Sequence, residues 1–102
     1  MSEGDEAVTA EILDETHEVT LIEVSRFCLV REERVVAMVE EGILQPRGSG
    51  PADWKFPASS MLRARKALKL AQEFEIELPA VALVLDLLDE IEALRRRSEV
   101  RQ

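Results

Sequence analysis

The sequence predicts a mainly α fold: two short helices, an extended segment carrying aromatics, then two longer helices. Three observations carry this. A helix-start signal stands at Thr20, with Glu23 three residues later. Three of the four prolines, with Gly48 and Gly50, fall between residues 45 and 57 and break the helical pattern there. Beyond that break, apolar residues recur at spacings of three and four as far as Leu94.

Residues 1–18 read as an acidic arm. Val8, Ala10 and Ile12 alternate with Thr9 and Glu11, so Ala7 to Leu13 suits one short strand. A lone strand is unstable and must pair elsewhere.

The first helix is expected over Leu21–Phe27. Thr20 and Glu23 form a capping box, and Val19 and Val24 are placed to close a hydrophobic staple over it. Leu21, Val24 and either Phe27 or Cys28 supply its apolar face. A turn over Cys28–Arg31 leads to a second helix over Glu32–Glu41, with Val35, Val36, Met38 and Val39 on its apolar side. Gly42 sits where a C-terminal cap glycine belongs, and Pro46 stops further helix. Within the loop that follows, Trp54 and Phe56 flank Lys55 in a short extended segment. A lone Trp there is expected to pack back on its own core.

The third helix is expected over Ala58–Phe74, with Met61, Ala64, Leu68, Ala71 and Phe74 inward and Arg63, Arg65, Lys66 and Lys69 largely outward. The fourth starts at Pro79, a favoured first-turn residue. Ala80–Leu85 is apolar all round, so this stretch is expected to be buried on every side. Val84, Leu87, Ile91 and Leu94 then form a heptad-like seam, widened by Leu88. Its two expected uses are a hairpin with the third helix and a small dimer interface.

Composition narrows the function. The chain has 102 residues, enough for one compact domain. One Cys rules out an intrachain disulfide, and one His with one Cys does not make a usual zinc site. No run of 18 apolar residues occurs, and the acidic Met1–Glu6 start is unlike a signal peptide. A reducing cytoplasm is the expected location. Cys28 has no base beside it in sequence, and the only His is His17 in the arm, so nucleophilic catalysis is not expected. Gly48-Ser49-Gly50 lacks the lysine and helix start of a phosphate loop. No cofactor is implied.

The net charge of −8 is unevenly spread. Residues 1–19 hold seven acids and no Lys or Arg, and residues 73–94 hold seven more acids and no base. Residues 47–72 form a basic island of six bases against one acid: Arg47, Lys55, Arg63, Arg65, Lys66 and Lys69 against Asp53. Pairing of this island with Glu73, Glu75 or Glu77 is the simplest reading of it. An acidic protein suits a basic partner and opposes phosphate.

On the fourth helix Asp86, Asp89, Glu90 and Glu92 cluster. Hard-cation ligands usually come from loops that wrap the ion, so no metal site is expected. A partner-binding face of Asp86, Asp89 and Glu90 is the preferred reading. Arg95, Arg96 and Arg97 follow, where the helix dipole favours cations. Acidic in the middle and basic at the end, two such helices laid antiparallel would set opposite charges side by side.

The order of elements resembles the MerR-like winged helix-turn-helix. Thr20-Leu21-Ile22-Glu23-Val24 is similar to that family's opening helix, Val39-Glu40-Glu41-Gly42-Ile43-Leu44-Gln45-Pro46-Arg47 to its exit from the second helix, and Trp54-Lys55-Phe56 to its wing strand. Within it, the chain resembles the CbpM chaperone modulators. Glu23-Val24-Ser25-Arg26, Phe27-Cys28 and Leu78-Pro79-Ala80-Val81-Ala82-Leu83-Val84-Leu85-Asp86-Leu87-Leu88-Asp89-Glu90-Ile91 look like their motifs, with Ala80 in place of the usual Gly. The likeness covers about residues 19–95.

The resemblance implies a single domain: an arm over 1–18, a helix-turn-helix and wing over 19–57, and a helical hairpin with a dimer or partner surface over 58–102. It further implies a non-enzymatic modulator that binds the J-domain of a DnaJ-like co-chaperone of CbpA type. Such a protein blocks that partner's co-chaperone and DNA-binding activity. A MerR-like DNA-binding regulator is the alternative, kept open by the basic wing and third helix. Against it, the positions where MerR regulators carry "L-R-Y-Y-E" hold Val35, Val36, Ala37, Met38 and Val39, and Glu32, Glu33, Glu40 and Glu41 outnumber Arg34 on that helix.

Overall fold

The computed structural model describes residues 17–101. The order is β1 (Glu18–Thr20), α1 (Leu21–Cys28), α2 (Glu32–Glu40), β2 (Lys55–Pro57), α3 (Ser59–Phe74) and α4 (Leu78–Arg101). The mainly α, MerR-like architecture read from the sequence is the one observed. The strand expected at Ala7–Leu13 lies outside the described residues.

β1 and β2 pair antiparallel, with Val19 opposite Phe56 and Thr20 opposite Lys55. The body of the fold therefore begins earlier than the sequence suggested. Glu18, assigned to the arm, is a strand residue, and the His17 carbonyl accepts from the Ala58 amide at 3.1 Å. A strand of three residues carries too little pattern to be read alone.

The capping box forms at Thr20: its amide donates to Glu23 Oε1 at 2.8 Å, and the Glu23 amide donates to Thr20 Oγ1 at 3.2 Å. Val19 and Val24 are both buried beneath it. α1 ends one residue later than expected, at Cys28, because Leu29 takes a left-handed conformation at φ 58°. The Val30 and Leu29 amides then close back on the Ser25 and Arg26 carbonyls at 3.1 and 3.3 Å. α2 ends the same way at Gly42, φ 77°, where the Ile43 amide bonds the Met38 carbonyl at 2.9 Å.

The wing is a hairpin closed by Arg47 and Lys55, each donating its amide to the other's carbonyl at 2.9 Å. Gly48 is required at its tip: φ is 118°, and a Cβ there would lie 2.8 Å from the Asp53 carbonyl oxygen. Trp54 packs against the core and meets Phe56 edge-on, with ring centroids 6.0 Å apart.

One apolar cluster joins every element: Val19, Val24, Val35, Met38, Leu44, Phe56, Ala64, Ala67, Val81 and Leu85 are its buried centre. Small alanines on α3 let α1 and α4 approach it closely. Two expectations fail here. Phe74 is 64% exposed, because α3 stops there and turns away through Glu75, φ 51°. Ala80–Leu85 is not buried all round: Val81 and Leu85 are, but Ala80 is exposed and Leu83 is 61% exposed. α4 packs on α3 along one side, and among the described residues nothing covers the other.

Candidate partner-binding surface

α4 carries three strips, set by a helical repeat of about 3.6 residues. The inward strip is Leu78, Val81 and Leu85, all buried against the core. The outward strip is Leu83, Leu87, Ile91 and Leu94, each about half exposed or more. Between them run Asp86, Asp89 and Glu90, all exposed.

The predicted seam therefore does not make the hairpin. The α3–α4 packing uses Leu78, Val81 and Leu85, while Leu87, Ile91 and Leu94 point outward and Val84 is half-buried at the edge. The periodicity was legible, but α4 has two apolar strips, and a repeat cannot say which faces the core. Leu83, read from sequence as buried, extends the outward strip by one turn. Its spacing of four from Leu87 was the signal for it.

The three candidate acids do not stand alike. Asp86 and Asp89 share a shallow cleft whose opposite wall is the Gly42–Gln45 exit from α2 with Pro57. Asp89 is partly engaged: Arg63 Nη1 lies 3.3 Å from its Oδ2, and Arg63 Nε also donates to the Ile43 carbonyl at 2.7 Å. Glu90 stands toward the outward apolar strip. Neither Asp86 nor Glu90 has an ion pair among the described residues.

Four of the six residues of the basic island, Arg47, Arg63, Arg65 and Lys69, have partners within the fold, mostly at its exposed surface. Arg47 grips Glu18 through two bonds, Nη2 to Oε1 at 2.6 Å and Nε to Oε2 at 3.0 Å. Those bonds hold the Glu18 carboxyl below its ordinary pKa. Lys69 lies 3.9 Å from Glu73, one of the acids expected for it. Arg65 sits over the Phe27 ring at 4.8 Å. Meanwhile α2 exposes Glu32, Glu33 and Glu40 with Arg34, so the helix that would enter a DNA groove presents mostly carboxylates.

Cys28 is half-buried, and burial pushes its thiol up, opposed weakly by Arg65. That is the reverse of thiolate activation. Among the described residues no group of three or more His, Cys, Asp or Glu is placed to hold a metal ion, and no helix is long and apolar enough to cross a membrane.

Comparison with known proteins fits this geometry. The family model described as "MerR HTH family regulatory protein" matches residues 8–102. A chaperone modulatory protein CbpM of Coxiella burnetii (strain Dugway 5J108-111) is 36% identical over 86 residues, covering 84% of this chain and 81% of its own length. A CbpM of Pseudomonas putida (strain W619) is 42% identical over 71 residues, 70% of each chain. The chain belongs to the CbpM family, within the MerR-like proteins. The CbpM-like stretch noted in the sequence, Leu78–Ile91, is the part of α4 that carries all three strips. In this CbpM-family chain the second helix of the helix-turn-helix is acidic, and fold alone does not assign it DNA.

Proposed function

We propose that this chain is a non-enzymatic chaperone modulator that binds the J-domain of a CbpA-type DnaJ-like co-chaperone and blocks its co-chaperone and DNA-binding activity in the cytoplasm. The observation that carries the reading is the acidic strip of α4, Asp86, Asp89 and Glu90, exposed beside an apolar strip in a CbpM-family chain. Exposed acids suit a basic helix: the charges steer its approach, and the cleft that Asp86 and Asp89 share with the Gly42–Gln45 segment lies beside them to receive it. The outward strip, Leu83, Leu87, Ile91 and Leu94, pairs with the same strip of a second copy. The antiparallel arrangement sets Arg95, Arg96 and Arg97 of one copy against the acidic middle of the other.

The test is calorimetric titration with a purified CbpA-type J-domain. Asp86→Lys with Glu90→Lys should weaken binding at least about tenfold while the circular dichroism spectrum stays unchanged. Unchanged affinity in a folded double variant would remove the acidic strip from the interface, and no binding by the unaltered protein would end the reading.

A further inference from the structure

The outward apolar strip of α4 and its acidic strip share an edge, and that edge carries Glu90 and Arg97. Seven residues apart, the two fall on the same flank of Leu87, Ile91 and Leu94, about 10 Å from each other along the axis. Both are exposed, and among the described residues neither has an ion pair. We infer that a second copy of this chain, laid antiparallel on the outward strip, brings its Arg97 to Glu90, and that this pairing closes the acidic strip to the basic helix of a partner. The inference rests on the role proposed for α4 and adds its regulation: self-pairing and partner capture draw on one carboxylate and exclude each other.

Symmetry and charge support this. A two-fold axis between antiparallel helices keeps each flank on its own side, so the Glu90–Arg97 flank of one copy meets the same flank of the other. Of the three terminal arginines only Arg97 falls on that flank; Arg95 lies on the opposite one, with Leu88. Two registers interleave the strip. The first sets Leu87 against Ile91 of the second copy and Val84 against its Leu94, and it brings the two Glu90 carboxylates side by side. The second, half a heptad further along, sets Ile91 against Leu94 and Leu87 against Ser98, and it brings each Glu90 beside an Arg97. Charges flanking such a seam choose the register, and like charges across it repel. The first register gains little in return, since Val84 is already half-buried in the monomer.

Sedimentation of the full-length protein reads the pairing. Arg97→Glu should weaken self-association at least about tenfold, because both Glu–Arg pairs of the dimer become Glu–Glu pairs. Glu90→Arg with Arg97→Glu should restore it, since the exchanged charges meet again, and Glu90→Arg with Arg95→Glu should not. Titration with a purified CbpA-type J-domain reads the exclusion. Its apparent affinity should fall at least about threefold as the chain's concentration rises from the monomeric into the dimeric range, and Arg97→Glu should abolish that dependence. Saturating J-domain should convert the dimer into a complex of one chain each. A complex of two chains with two J-domains would overturn the inference. So would an unaltered protein that stays monomeric, or a folded Arg97→Glu variant that associates as before or is not rescued by the charge exchange. If no variant binds the J-domain, the partner role of α4 fails and the exclusion with it, while the charge exchange still decides the Glu90–Arg97 pairing.

Discussion

Arg63 on α3 reaches Asp89 on α4 at 3.3 Å while donating its Nε to the Ile43 carbonyl at 2.7 Å. One guanidinium thus ties three parts of the fold together: the exit from α2, α3, and the middle of α4. The two bonds differ in weight. Ile43 is buried, so its carbonyl is poorly served by water if Arg63 leaves, whereas the Asp89 side chain is 63% exposed and hydrates readily.

Arg63→Ala should therefore lower stability by about 1.5–2 kcal/mol, since a bond from a charged donor is lost at a buried acceptor. Asp89→Asn should lower it by less than about 1 kcal/mol, as for other exposed pairs. Urea denaturation of both variants checks the order. Equal losses would mean that the ion pair, not the carbonyl, carries the link.

The capping box makes stability depend on pH. Hydrogen bonding to the Thr20 backbone amide holds the Glu23 carboxyl below its ordinary 4.5, against a smaller opposing effect of burial. A depressed folded-state pKa contributes stability above the unfolded value, and that contribution fades as pH falls through the folded one. Glu23→Gln should lower the melting temperature at neutral pH, and the gap from the unaltered protein should close in acid, as pH falls below 4.5 and through the depressed folded-state value. Thr20→Ala should lower stability by about 1 kcal/mol. Thermal melts across pH measure both.

The two apolar strips of α4 should respond oppositely to substitution. Leu85 is 1% exposed, and Leu85→Ala should cost about 2–5 kcal/mol by leaving a cavity. Leu87 and Ile91 are about half exposed, so Leu87→Asp with Ile91→Asp should leave the fold intact and shift sedimentation from dimer to monomer. A protein that sediments as a monomer before substitution would refute self-pairing of this strip.

Local chemistry explains what could be read early. Thr20 and Glu23, Gly42, Pro79 and the 45–57 break act within a few residues of themselves, so helix starts, stops and the wing were visible in order. The three-residue strand at Glu18 was not, because its reason is a partner 39 positions away in sequence, Pro57. The candidate acids were legible as a cluster, but not the division among them. That division follows from Arg63, which reaches Asp89 only once α3 lies beside α4.

By itself the sequence determined the helices, the wing, the uneven charge and the likeness to CbpM, since propensity, capping and charge are properties of neighbouring residues. Tertiary structure decided which apolar strip of α4 is core and which is surface, because burial depends on what packs alongside. It also decided that Arg47, Arg63, Arg65 and Lys69 of the basic island find partners on the protein's own surface, and that Leu29 stands out beside Ile76 at the meeting of two turns. Those are relations between distant segments, and only the folded chain brings them together.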